Sequence, residues 1–185
     1  MKYDEARDLI GCCGLYCGLC SKYQSKAPSR CLGCKVGQQH SWCSIWNCCV
    51  KKHKLETCAH CQELSRCAIL KRRRVLKDPK WVPAANNLGQ MKEVGLDEWL
   101  VEQRRRQALL EVLLQDYNEG RSMSFYCKAC SRMPIELINK SVKEANKKLV
   151  SEEDYKSDIK LKAKFLKLVI KYLALKADVV LNQTG

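Results

Sequence analysis

The sequence lacks most of the features that mark membrane proteins, exported proteins and common enzymes. No apolar run approaches the roughly 18 residues needed to span a bilayer. The chain opens MKYDEARDLI, polar and acidic, where a secretory leader needs a basic stretch followed by an apolar one. It has no glycine-rich phosphate loop, no His-Glu-x-x-His helix and no recognisable acid–base partner set, so no catalytic residue is identified. The spacing of a two-cysteine, two-histidine finger is missing, which argues against direct base readout. Internal repeats and low-complexity tracts are absent, and large aliphatic residues are scarce between Cys12 and Cys67. The expectation is a cytoplasmic protein that does not enter membranes; whether it is an enzyme stays open, with a non-enzymatic role favoured.

Sulfur is what the chain has in quantity. Its 185 residues include 14 cysteines, 12 of them between Cys12 and Cys67. Without a leader, such density reads as a metal site rather than a disulfide framework, because a reducing compartment leaves thiols free. The order is Cys13-x3-Cys17-x2-Cys20, Cys31-x2-Cys34, Cys43, Cys48-Cys49, Cys58-x2-Cys61 and Cys67. A Cys-x2-Cys step lets one tight turn offer two sulfurs to one ion, and zinc takes four soft or borderline ligands in a tetrahedron. Three such knuckles occur, at Cys17/Cys20, Cys31/Cys34 and Cys58/Cys61.

The expected ligands are Cys13, Cys17, Cys20, Cys31, Cys34, Cys43, Cys48, Cys58, Cys61 and Cys67, holding two or three zinc ions. Which sulfurs share an ion stays open. His40, His53 and His60 are further candidates, though a histidine in a basic stretch is more often solvated. Cys12 and Cys49 each stand beside a better-placed cysteine and are expected to be bystanders; Cys127 and Cys130 read as structural. An iron–sulfur cluster with a redox or electron-transfer role is the alternative. The Cys13-x3-Cys17-x2-Cys20 spacing matches the cluster loop of radical S-adenosylmethionine enzymes. Those enzymes need a large α/β barrel, which 185 residues with a helical second half cannot supply.

The formal charge is +14, unevenly spread: residues 1–90 carry 16 Lys+Arg against 6 Asp+Glu, and residues 91–185 carry 18 against 14. Each ion bound by four thiolates adds a net −2, so two such sites would lower the first half from +10 to +6. The basic runs Lys71–Arg74 and Arg104–Arg106, with Trp42 and Trp46 available for stacking, suit phosphate contacts in a nucleic-acid module. Consecutive residues point around a helix, however, so neither run is one flat patch.

Composition changes near residues 78–95, where DPKWVPAANNLGQ carries two prolines, an Asn pair and a glycine. The expected organisation is a small, irregular, metal-stabilised cysteine-rich domain over 1–77, a linker over 78–95 and an all-α helical domain over 96–185. Three amphipathic helices are expected in that half. The first runs from Asp97 to Tyr117 and the second starts at Pro134. The third follows Ser151, with Asp154 in a capping-box-like position. The segment YNEGRSMSFYC between the first two reads as a loop or short strand. A helical half of this kind also suits docking to another protein.

The strings CGLYCGLCSKY (Cys13–Tyr23), CLGC (Cys31–Cys34), CSIWNCC (Cys43–Cys49) and CAHCQELSRC (Cys58–Cys67) resemble a family of small cysteine-rich bacterial and archaeal proteins, domain-of-unknown-function family 3795. The likeness covers roughly residues 10–72 and includes the glycines, Tyr16 and Tyr23. It implies a shared metal framework on the ten cysteines named above and supplies no activity.

Overall fold

The computed structural model describes residues 5–37, 42–72, 82–150 and 158–181. Among these the chain is mostly helical and has no strands; its extended pairing is a single antiparallel bridge between Ile10 and Tyr16. Two compact units form. One comprises Met1–Gly18 and Lys22–Arg104, the other Leu19–Ser21 and Arg105–Gly185.

The first unit is irregular where the cysteines lie and helical after them. Short helices α1 (Glu5–Asp8), α2 (Ser21–Gln24), α3 (Ser44–Trp46) and α4 (Ala68–Arg72) punctuate the cysteine-rich stretch. Between them lie a π-helical turn at Asn47–Lys52 and 3-10 turns at Cys58–His60 and Leu64–Arg66. Helix α5 (Val82–Val94) then packs on the Cys58–His60 turn. Thr57, fully buried, caps that turn by accepting from Ala59 N and donates to Met91 Sδ on α5 at 3.5 Å.

Helix α5 occupies the stretch expected to be a linker. Its breaker residues mislead. Pro83 falls in the first helical turn, where a missing N–H costs nothing. Behind it Ala84, Leu88 and Met91 recur at steps of four and three and are all buried. Asn87, half of the Asn pair, donates its amide to Gly14 O at 2.8 Å. Helix α6 (Leu96–Asp116) follows immediately, and the division between the two units falls inside it, after Arg104. In the first unit Trp99 meets the Tyr16 ring edge-on at 5.9 Å.

The second unit holds the rest of α6 with α7 (Met123–Arg132), α8 (Ile135–Val150) and α9 (Ile159–Lys176). Helix α7 replaces the expected loop or strand. A left-handed Gly120 (φ +96°) turns the chain, and Tyr126, Cys127, Ala129 and Cys130 then bury one face of the helix. Helix α9 starts later than expected. The N-cap is Asp158, whose carboxylate accepts from Lys160 N and Leu161 N; Ser151 and Asp154 lie outside the described residues. Its buried face holds Ala163, Leu166, Val169, Ile170 and Leu173, but Ile159 and Tyr172 are exposed. No described helix is long and apolar enough to cross a membrane.

Gly14 shows how closely α5 sits on the first cysteine loop. At φ +93°, an added Cβ would lie 2.4 Å from Ala84 O and 2.7 Å from Leu88 Cγ. Gly14→Ala should destabilise the first unit by about 3 kcal/mol, the sum of left-handed strain and an unyielding backbone clash. Gly120→Ala, in the second unit, meets no atom within 4 Å and should leave the unfolding of the first unit unchanged. All four tryptophans lie within residues 1–104, so denaturant unfolding followed by tryptophan fluorescence reads the first unit directly.

Candidate metal centre

The first group of sulfurs is built on two tight loops. Gly11 N donates to Leu15 O and Cys17 N to Leu9 O, both at 2.8 Å, which folds Cys13 and Cys17 back into the interior. At Cys31-Leu32-Gly33-Cys34, Gly33 is left-handed (φ +93°) and its N–H donates to Cys31 Sγ at 3.4 Å. A Cβ added at Gly33 would lie 3.8 Å from Cys17 Sγ, so Cys17 packs against this knuckle. Burial, with the charges of Cys34 and Cys43 nearby, pushes the Cys13 thiol up to about 11. Cys13, Cys17, Cys31, Cys34 and Cys43 thus form one neighbourhood.

The second group surrounds a small cavity of about 20 Å³ lined by Cys48, Cys49, His53, Cys58, Cys61 and Cys67, closed by Ile45, Leu55, Leu64, Ile69 and Leu70. The π-helical turn brings the adjacent Cys48 and Cys49 to the same cavity. Cys12 joins from the first loop: Cys58 N donates to Cys12 O at 2.9 Å, and the Cys12, Cys49 and Cys58 thiols are hydrogen-bonded to one another. These three sulfurs compete for charge. Hydrogen bonds from Cys12 and Cys58 hold Cys49 well down, at about 4, with His53 and His60 adding a smaller pull. Cys12 rises because it bonds to Cys49 and Cys58 and is buried. Cys58 is drawn down by Cys12 but raised further by Cys49 and burial.

Of the ten expected ligands, the structure brings Cys13, Cys17, Cys31, Cys34 and Cys43 together in the first group, and Cys48, Cys58, Cys61 and Cys67 in the second. Cys20 is exposed and belongs to the second unit, where it lies within electrostatic reach of Cys127. Cys127 and Cys130 are buried on α7, and burial raises both thiols to about 12. His53 lines the second cavity, and His40 lies outside the described residues. Cys12 and Cys49, expected to be bystanders, are instead buried at the centre of the second group. The doubling itself is the available signal: Cys12 contacts Cys49 and Cys58, and Cys13 lies within electrostatic reach of Cys34, Cys43 and Cys58, so the pair stands where the two groups adjoin.

Glu56 ties the groups together. It accepts two hydrogen bonds from the Arg7 guanidinium (3.0 and 3.1 Å) and one from Lys35 Nζ (3.0 Å). Lys35 follows Cys34 in the chain and Glu56 lies two residues before Cys58, so the ion pair connects the two sulfur neighbourhoods.

The donor set fits a thiophilic ion. Clustered, buried sulfurs repel one another as thiolates, and a dication at their centre removes that penalty while fixing their positions. The side chains as they stand are hydrogen-bonded to each other rather than spread into a coordination shell: among the described residues, no three His, Cys, Asp or Glu side chains are already disposed around an ion. The cavity is small, and sulfur, the His53 ring and aliphatic side chains line it. No family model, curated protein or solved structure matches this chain.

The basic runs are partly committed elsewhere. Arg106 donates to Cys130 O and Met133 O, at 2.9 and 2.7 Å, satisfying carbonyls at the C-terminal end of α7. Arg73 and Arg74 lie outside the described residues.

Burial pushes the Glu56 carboxyl up, but the hydrogen bonds from Arg7 and Lys35 outweigh it and hold its pKa below the ordinary 4.5. Its stabilisation is therefore complete above about 4.5 and lost as pH falls through the lower folded value. Glu56→Gln should lower stability at neutral pH by about 1 kcal/mol, discounted because Arg7 is partly solvated. The gap between variant and parent should close as the pH drops below 4.5, which urea midpoints across a pH series would read.

Proposed function

We propose that this chain is a metal–thiolate protein in which zinc ions replace much of the apolar core of the first unit, and that the finished unit serves as an interaction module. The observation that carries the reading is the cavity of about 20 Å³ walled by five cysteines and His53. A site that small and sulfur-rich matches the ligand chemistry of structural zinc. Zinc is favoured over an iron–sulfur cubane because a cubane takes four thiolates and brings its own sulfides, whereas five cysteines and His53 already line this cavity.

Purified, reduced protein should carry two or three zinc ions by elemental analysis and native mass spectrometry. Less than one equivalent of any transition metal defeats the reading; iron with matching sulfide keeps the thiolate framework and replaces zinc. Metal binding at such sites contributes folding energy on the order of 10 kcal/mol per ion. A strong chelator should therefore shift the tryptophan fluorescence of the first unit, while far-ultraviolet circular dichroism keeps most of the helical signal of the second.

Nucleic acid is the partner class with a specific observation behind it. Trp42 is 88 % exposed, and it precedes α3, on which α4 packs with Lys71 and Arg72 exposed at its end. An exposed aromatic near cations suits stacking on unpaired bases with phosphate contacts. Single-stranded oligonucleotides should bind at tens of micromolar, about the non-specific range, and release as salt rises; Trp42→Ala should weaken binding several-fold. Absence of binding at low salt would move the helical unit, and a protein partner, to the front.

A further inference from the structure

We propose that the second sulfur group is a dinuclear centre, two metal ions bridged by shared thiolates, built from Cys12, Cys48, Cys49, Cys58, Cys61 and Cys67. The inference rests on the metal reading above and specifies the architecture of one of its sites.

Donor number makes the case. A single tetrahedral ion uses four ligands. Five cysteines and His53 line the cavity, and Cys12 adds a sixth sulfur through its contacts with Cys49 and Cys58. A mononuclear site would leave two cysteines as unliganded thiols pressed against a charged centre. Two tetrahedra that share an edge have eight coordination positions between them. Six sulfurs fill those positions when two of them bridge, and no donor is left over.

Burial then sorts the sulfurs into roles. Bridging ligands lie between the ions, at the middle of the cluster, and terminal ligands lie around it. Cys12, Cys49 and Cys58 are buried and in mutual contact, whereas Cys48, Cys61 and Cys67 are only half-buried. The bridges therefore come from the buried three. Of these three, Cys49 and Cys58 line the cavity and Cys12 does not, so Cys49 and Cys58 bridge while Cys12, Cys48, Cys61 and Cys67 are terminal. His53, at the cavity wall, is left outside the shell.

The geometry also gives a reason for the two Cys-Cys pairs. Cys12 contacts Cys49 and Cys58, and Cys13 lies within electrostatic reach of Cys34 and Cys43 as well as Cys58, so this pair stands where the dinuclear centre adjoins the first neighbourhood. Cys48 and Cys49 supply a terminal and a bridging sulfur to one centre.

The test is cadmium-113 substitution in the full-length protein, prepared reduced and free of oxygen. Two cadmium resonances should show scalar coupling to each other through a shared sulfur, with a third resonance uncoupled, and native mass spectrometry should count three ions. Cys49→Ser should abolish the coupling and lower the count by at least one ion; Cys20→Ser should change neither. Three uncoupled resonances, or two ions per chain with Cys49→Ser indistinguishable from the parent, would overturn the dinuclear centre while leaving a metal–thiolate protein. A chain that takes up no cadmium or zinc overturns the broader reading as well. The coupling measured in the parent protein decides the matter even where Cys49→Ser fails to fold.

Discussion

Between Cys12 and Cys67 the chain has twelve cysteines and only eight leucines, isoleucines and valines, so the interior of this region is largely sulfur. That is a weak core by itself. Burying a large aliphatic side chain contributes about 1.5–3 kcal/mol, and a thiol is smaller than any of these. The loops are also unusually constrained for so little apolar surface: Gly14 and Gly33 are left-handed, and Lys54 takes a positive φ without being glycine. Ordering such backbone costs on the order of 1–2 kcal/mol per residue, which scattered hydrophobic contacts do not offset. One structural ion, at about 10 kcal/mol, matches several buried leucines. The clustering of thiols is thus the constraint from which the other features of the first unit follow.

Two devices hold the sulfur layer in register. On one side α5 lies across it, with Asn87 bonded to Gly14 O and Met91 accepting from Thr57, the cap of the Cys58–His60 turn. On another, Glu56 gathers Arg7 and Lys35. Both act at residues adjoining cysteines rather than on the sulfurs themselves, so they position the loops without competing for the ligand atoms. The second unit is built differently. Tyr117 and Tyr126 bury their rings and satisfy their hydroxyls, Tyr117 on Asn146 and Tyr126 on Tyr117 O. Cys127 and Cys130 fill space beside them as small apolar groups.

Much of this organisation was legible in the residues. The helices at Leu96–Asp116 and Ile135–Val150 follow stripes long enough to override local noise, and Pro134 marks the second start correctly. The gathering of most of the expected ligands was legible because Cys-x2-Cys is a local geometry. What escaped detection was non-local or depended on context. Pro83 and the Asn pair break a helix in its interior but not in its first turn, so α5 was read as a linker. Helix α7 was hidden because Gly120 and two serines outweighed a short stripe at Tyr126, Cys127 and Cys130. The division of the cysteines into groups was illegible because Cys12 meets Cys58 across some forty-five residues of chain, and sequence spacing carries no signal at that separation. Cys20 is the sharpest case. Its spacing pairs it with Cys17, yet it is exposed and belongs with the second unit.

The Cys12-Cys13 pair links these observations. In most small metal domains each site is closed on itself, and loss of one ion leaves the others intact. Here the two sulfur neighbourhoods meet at one peptide bond, and the same stretch of chain carries the Ile10–Tyr16 bridge and the left-handed Gly14 that receives α5. If both proposed centres bind metal, filling either would lower the conformational cost of filling the other, because the ordering of residues 9–17 is shared and has to be met only once. Positive cooperativity between the proposed centres therefore needs no contact between ions. It would follow from one stretch of backbone, ordered by the Ile10–Tyr16 bridge and the Gly11–Leu15 hydrogen bond, that carries cysteines of both groups.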